Sequence, residues 1–446
     1  MYRILMSKLI EWGQSSSRKP LIIMGARQVG KTWLMREFGE AYFKDVFYLN
    51  FENTPGMEDL FSGEIQPHRI IDYLSAMHGK RIDPGKTLMI FDEVQEIPRA
   101  LTSLKYFAEE APEYAICCAG SLLGIALHHN TSFPVGKVEF LTLQPLSFEE
   151  YLIANNEKLL LDSIHSQPIE QIPTLFSEKL IDYLKQYFII GGMPAAVMKW
   201  LERRDFRDVE SVQSGILMSY EQDFSKHAPP HLIPKIRHIW NSLPAQLARE
   251  NKKFLYGLAK EGARAREYED ALMWLKDSGL IRQVYRTSQP TFPLKAYTDL
   301  KSFKIYHLDI GLLRVMSELS PEIIIEKEAV FREFKGAMTE QYVLQQMSGI
   351  KGITNNYYWT TEATAEIDFL FSYKNMIIPL EVKAGENLHA KSLRVYCQKY
   401  KPILSIRTSL SNLQYKDGLL NIPLYIFFDL INILSKALAS GYSGDD

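Results

Sequence analysis

Cysteine is scarce: the 446-residue chain holds three, with Cys117 and Cys118 side by side in an apolar run and Cys397 alone far downstream. That set offers neither a disulfide framework nor the ligand spacing of a zinc site, so a reducing, cytoplasmic setting is expected. No run of about eighteen apolar residues occurs, which argues against a helical membrane span and against a membrane partner. The stretch Met1-Tyr2-Arg3-Ile4-Leu5-Met6-Ser7-Lys8 lacks the apolar centre of a secretory signal. An excess of one sign of charge is missing too. With 51 Lys and Arg against 53 Asp and Glu, the molecule as a whole is no polyanion binder, and any nucleic-acid surface has to be local. Internal repeats and low-complexity tracts are likewise absent. What remains is a globular composition too long for one ordinary core, hence two or three domains.

One segment stands out against this background. Gly25-Ala26-Arg27-Gln28-Val29-Gly30-Lys31-Thr32 fits the pattern G-x-x-x-x-G-K-[ST], in which backbone N–H groups wrap the phosphates of a nucleotide. Gly25 and Gly30 keep the backbone close. Lys31 is placed to reach the β- and γ-phosphates, Thr32 to offer its hydroxyl to Mg²⁺, and the start of the following helix adds a favourable dipole. The flanks suit the motif: residues 21–24 read as a buried parallel strand and residues 32–38 as the first turns of an amphipathic helix. A nucleotide and Mg²⁺ are the expected ligands.

A second apolar strand, Thr87-Leu88-Met89-Ile90-Phe91, ends in Asp92-Glu93. Asp92 suits a carboxylate that holds Mg²⁺, and Glu93 one that orients or deprotonates the attacking water, so the pair points to hydrolysis as well as binding. After the strand-like residues 114–119, Gly120-Ser121 either brings the Ser121 hydroxyl near the γ-phosphate or is simply a turn.

Residues 1–146 alternate short apolar strands with helical stretches, the rhythm of a parallel α/β sheet covered by helices. From 147 to 231 the pattern is helical, a connector or lid broken at Gly191-Gly192-Met193-Pro194. Residues 232–325 form a winged-helix-like region: helices over 254–260 and 264–277 frame a turn at Glu261-Gly262-Ala263, and residues 280–286 and 302–307 suit the strands of a wing. Residues 235–300 carry twelve Lys and Arg against seven Asp and Glu. Arg264, Arg266 and Lys276 would centre a DNA contact; the alternative is a packing module that meets protein. A last domain covers 326–440, and 441–446 are expected to be disordered.

The last domain contains a strand pair, residues 366–371 and 377–383, joined near Lys374-Asn375. Alternation puts Asp368, Glu381 and Lys383 on one face and Ile367, Phe369, Leu380 and Val382 on the other. A symmetric turn sets Asp368 opposite Glu381 with Cβ atoms about 5 Å apart, a repulsive pairing that Lys383 partly offsets and a divalent metal would complete. Glu340, on a helix over 336–347, would be a third ligand. In the active reading Asp368 and Glu381 hold Mg²⁺, which polarises a phosphodiester and acidifies water, while Lys383 positions that water. In the inert reading the hairpin carries a solvated ion pair.

The P-loop, Tyr48-Leu49-Asn50-Phe51-Glu52, Phe91-Asp92-Glu93-Val94-Gln95, Gly120-Ser121, Leu146-Ser147-Phe148-Glu149-Glu150-Tyr151 and Gly191-Gly192-Met193-Pro194 together resemble the prokaryotic AAA-type ATPases that carry a C-terminal domain of unassigned function. That last domain resembles the PD-(D/E)XK nuclease fold. The resemblance implies an α/β chain made of an N-terminal P-loop NTPase with a parallel sheet, a helical connector, a winged-helix-like middle and a C-terminal restriction-endonuclease-like domain. It assigns Gly25, Gly30, Lys31 and Thr32 to ATP, Asp92 and Glu93 to Mg²⁺ and water, and Glu340, Asp368, Glu381 and Lys383 to a nuclease-like centre. No arginine finger matches. Two functions stay open: an ATPase coupled to a DNA-binding or metal-dependent nuclease domain, and an ATP-switched scaffold that binds a protein client through an inactive nuclease fold. A homo-oligomer is a further expectation.

Overall fold

The computed structural model describes residues 1–120, 124, 136–166, 169–249, 252–325, 332–350, 352–353, 356–361, 365–385 and 391–441. Two compact units divide the chain. The first joins Met1–Gln144 with Trp274–Leu280, and the second joins Pro145–Met273 with Ile281–Asp446.

In the first unit the chain runs through α1 (Met6–Gln14), β1 (Leu21–Met24), α2 (Lys31–Tyr42), β2 (Asp45–Asn50), α3 (Pro67–His78), β3 (Thr87–Asp92), α4 (Pro98–Glu110), β4 (Ala115–Ala119) and β5 (Glu139–Thr142). All pairings among these strands are parallel, in the order β2-β3-β4-β1-β5. Helices on the faces of a parallel sheet explain why its inner strands are unbroken apolar runs; every residue of β3 and β4 is buried. Phe47, Leu49, Ile70, Leu74, Met89, Phe91, Leu101, Leu104 and Phe107 pack into one core. Strand order reverses at β1, so the crevice beyond its carboxyl end is where such a sheet binds ligands. β4 lies between β1 and β3, which sets the ends of those two strands about 10 Å apart.

The second unit begins with helices: α5 (Phe148–Ala154), α6 (Thr174–Ile190), α7 (Pro194–Arg203), α8 (Phe206–His227) and α9 (Ile233–Ala248). The Leu146–Tyr151 segment is a helix start. The Ser147 hydroxyl accepts from the Glu150 N–H while Glu150 accepts from the Ser147 N–H at 2.9 Å, a reciprocal capping box. Next come α10 (Ala265–Asp277, of which Trp274–Asp277 belongs to the first unit), β6 (Ile281–Thr287), β7 (Thr298–His307), α11 (Ile310–Met316), α12 (Arg332–Met347), β8 (Tyr357–Thr360), β9 (Glu366–Tyr373), β10 (Met376–Val382), α13 (Lys391–Tyr400), β11 (Ser405–Ser409), β12 (Gln414–Lys416), β13 (Leu419–Pro423) and α14 (Leu430–Gly441). Eight of these strands make one mixed sheet, ordered β12-β13-β11-β10-β9-β8-β6-β7. β6 and β7 pair as an antiparallel hairpin, but β6 also pairs in parallel with β8. The expected wing is therefore the margin of a larger sheet that runs across the limit drawn at 325/326, because a free β6 edge would leave ladder groups unpaired. Residues 442–446 of the expected tail lie outside the described residues.

Gly191-Gly192 is fixed by a remote carboxylate. Asp309, wholly buried, caps α11 by accepting from the Leu312 N–H and also accepts from Gly192 N–H at 2.6 Å and Gln345 Nε2 at 3.0 Å. A Cβ on Gly191 would stand 2.1 Å from Asp309 Oδ1, and one on Gly192 would stand 2.1 Å from the Leu146 carbonyl oxygen. Only glycine fits either place. Asp309→Ala should lower the stability of the chain to urea by about 2–4 kcal/mol, because it strands several buried donors at once. Asp309→Asn, which keeps an acceptor, should lose less; equal loss in the two variants would contradict the capping role.

Candidate nucleotide site and C-terminal carboxylate cluster

The loop after β1 bends through backbone conformations that favour glycine. Gly25 has φ +143° and Gly30 φ +94°, and a Cβ on Gly25 would stand 2.3 Å from the Leu143 carbonyl oxygen. Gly30 precedes the first turn of α2, so the helix start faces the loop. Lys31 folds back into this loop and donates to the carbonyls of Gly25 at 2.8 Å and Ala26 at 2.9 Å. Burial pushes its ammonium down to about 8, against the opposing pull of Glu93 and Asp92. A lysine in that setting gains most when a phosphate takes over from the two carbonyls.

Thr32 and Asp92 meet across the crevice. The Thr32 hydroxyl donates to Asp92 Oδ2 at 2.7 Å, and the Tyr48 hydroxyl donates to the same oxygen at 3.0 Å. Arg36 of α2 stacks over the Tyr48 ring at 3.8 Å. A hydroxyl and a carboxylate are hard oxygen donors, which suits Mg²⁺ with water completing its shell. Glu93 follows in the left-handed region at φ +50°, a conformation that costs a non-glycine residue about 1–3 kcal/mol and collects at functional sites. Its N–H donates to Asp92 Oδ1 at 3.1 Å, and its carboxylate accepts from Gln95 Nε2 at 2.7 Å. Sequence reasoning places Lys31, Thr32, Asp92 and Glu93 here. Ser121, the expected sensor, lies outside the described residues.

Three contributors escape the sequence. Tyr48 enters only through its strand, where alternation hides its tie to Asp92. Arg3, from before α1, donates to the carbonyls of Val29 at 2.8 Å and Gln144 at 2.5 Å and so anchors the loop after β1. Gly279, at φ +77°, comes so close to Ala26 that a Cβ would stand 3.3 Å from the Ala26 nitrogen. No local pattern announces either approach.

The C-terminal carboxylates fall into two groups. The turn and register are as expected, with Tyr373 opposite Met376 and Phe369 opposite Leu380. The side-chain directions differ, because β9 carries one extra residue against β8 between Ile367 and Leu370. A bulge breaks simple alternation. Ile367 joins Leu393 and Tyr396 in one apolar cluster, whereas Phe369 packs toward the Tyr306 ring; the expectation of a shared face for Ile367 and Phe369 is corrected accordingly. Asp368 accepts from the Val382 N–H at 2.8 Å and feels the charges of Glu340, Lys304, Lys252 and Glu366. Burial first, then Glu340, pushes its carboxyl up to about 8. Glu381 is engaged elsewhere, by Lys383 Nζ at 2.6 Å and the Leu393 N–H at 3.1 Å.

Glu340 is satisfied as well. Lys252 Nζ lies 2.5 Å from its Oε1, and the Tyr306 hydroxyl donates to its Oε2 at 3.0 Å. Among the described residues no three His, Cys, Asp or Glu side chains are arranged to hold a metal ion. Asp368 and Glu381, expected as paired metal ligands, are thus held by separate protein donors, and this donor set does not fit a divalent cation.

Comparison with known proteins covers the chain in three pieces. Residues 17–152 match a family model described as an AAA domain, while 181–323 and 335–427 each match a domain of unknown function (DUF8612 and DUF4143). Uncharacterized proteins of Mycobacterium bovis and Mycobacterium tuberculosis are each 23% identical over 382 residues, 82% of this chain and 70% of theirs. Among solved structures, the Walker-type ATPase PABY2304 of Pyrococcus abyssi is 16% identical and covers 71% of this chain and 95% of its own, with a TM-score of 0.44. The Aeropyrum pernix ORC1 protein in complex with DNA is 11% identical, covers 71% and 93%, and has a TM-score of 0.28. Most of the first unit thus lies within the segment that matches the AAA domain model.

Two measurements address the nucleotide site. Phosphate favours charged Lys31, whose free value is about 8, so ATP binding above that pH should take up a proton. Affinity should fall by up to about tenfold per pH unit between roughly 8 and 10; titration calorimetry in buffers of different ionisation enthalpy reads the uptake, and a flat affinity contradicts it. Tyr48→Phe removes one donor to Asp92 and should raise the Mg²⁺ needed for half-maximal ATP turnover about fivefold. An unchanged Mg²⁺ requirement would leave Tyr48 a packing residue.

Proposed function

We propose that the first unit binds ATP with Mg²⁺ and hydrolyses it. The observation that carries this reading is the meeting of Lys31, Thr32, Asp92 and Glu93 at the carboxyl ends of β1 and β3, with Thr32 and Asp92 already joined at 2.7 Å. Backbone N–H groups of residues 25–30 and the start of α2 would cradle the phosphates, and Lys31 would leave its carbonyl partners for the β- and γ-oxygens. Mg²⁺, held by Thr32 and Asp92, would supply charge neutralisation on those oxygens. Glu93, fixed by its backbone and by Gln95, would accept the proton of the attacking water.

For the second unit we infer a binding role toward a protein client, regulated by nucleotide, in preference to DNA cleavage. Two observations favour it. The carboxylates expected to hold a catalytic metal are already satisfied by lysines and backbone N–H groups. The exposed face of α10 sets Glu267, Glu269 and Asp270 beside Arg266 and Lys276, an acidic share that opposes a phosphate backbone.

Lys31→Ala should abolish ATP binding, and Glu93→Gln should bind ATP but turn it over at least a hundredfold more slowly. Turnover by Glu93→Gln at the parent rate would remove the mechanism. Turnover of the parent protein should be indifferent to DNA, and no Mg²⁺- or Mn²⁺-dependent nicking that Asp368→Ala abolishes should occur. Stimulation by DNA would restore the nucleic-acid reading.

A further inference from the structure

The carboxylates of the second unit are met by an ammonium group that the hairpin does not contain. Lys304, on β7, is completely buried; its Nζ contacts Glu366 Oε1 and lies 3.8 Å from Glu340 Oε2. The Tyr358 ring covers it, with its centroid 5.0 Å from Nζ. Lys252 reaches the other oxygen of Glu340. Three carboxylates, Glu340, Glu366 and Asp368, thus share two ammonium groups, with Lys304 and Glu340 buried and Lys252, Glu366 and Asp368 partly exposed.

A buried charge persists only when paired, and an ammonium carries three donors that can serve several carboxylates at once. A divalent cation holding Glu340 and Asp368 would have to sit within about 2.0–2.6 Å of their oxygens, beside Nζ, and would repel a lysine that has no route to solvent in its present place. We propose that Lys304 is the resident cation of this centre, filling by covalent attachment to β7 the role that a metal would otherwise play and closing the centre to Mg²⁺ and Mn²⁺. The proposal rests on the reading of the second unit as a binding element, and it concerns no part of the nucleotide site.

Two measurements on the nucleotide-free full chain test it. Mn²⁺ titration followed by electron paramagnetic resonance should find no bound ion that Glu340→Gln or Asp368→Asn removes. Heating should show Lys304→Met melting about 5–10 °C below the parent, with at least half of the loss recovered in Lys304→Met/Glu366→Gln, since removing both signs of charge restores the balance. A Mn²⁺ site in the parent that Glu340→Gln abolishes would overturn the proposal. So would a Lys304→Met variant as stable as the parent, or a double variant no more stable than the single one. None of these outcomes bears on ATP turnover, so a failure here is separable from a failure of the ATPase reading.

Discussion

A carboxylate withdrawn from water has to be given donors, and that constraint shapes both units. Asp92 receives hydroxyls from Thr32 and Tyr48, Asp309 receives backbone and amide N–H groups, and Glu340 receives two lysines and a tyrosine. The donors differ in what they permit. Hydroxyls can turn and yield an oxygen to an incoming cation, whereas a buried lysine such as Lys304 brings a fixed charge that leaves no vacancy for another. The same residue type is therefore poised for ligand exchange in the first unit and locked in the second.

Lys31 shows the complementary case. Two carbonyl oxygens hold its ammonium in the loop, while burial weakens its hold on the proton. An anion entering the cradle restores the counter-charge, so binding energy and proton affinity rise together. The strained backbone at Glu93 sits at the same crevice, consistent with a site in which geometry is imposed by the fold around it.

The meeting of Lys31, Thr32, Asp92 and Glu93 was legible in the sequence because the pattern is local: eight consecutive residues make the loop, and the two acids directly follow an apolar strand. Tyr48, Arg3 and Gly279 were not, since each acts through a contact across the unit and leaves no spacing behind. The turn and register of the β9–β10 hairpin were readable from its symmetry. The bulge in β9 was not, because one extra residue is defined only against the neighbouring β8. Lys304 and Lys252 were equally invisible, lying 64 and 116 positions before Asp368. Gly191-Gly192 was visible as a break, but its cause, Asp309, lies more than a hundred residues later.

The first unit is made of two stretches of chain, and its closing piece, Trp274–Leu280, follows 129 residues that belong to the other unit. On the ribosome the amino-terminal sheet emerges long before that piece exists. The backing that Gly279 gives Ala26 therefore arrives late in synthesis, after α5 to α9 of the second unit have already been made. Any grip on nucleotide that depends on this backing matures only once Leu280 has been translated, a timing written into the order of segments rather than into any single residue.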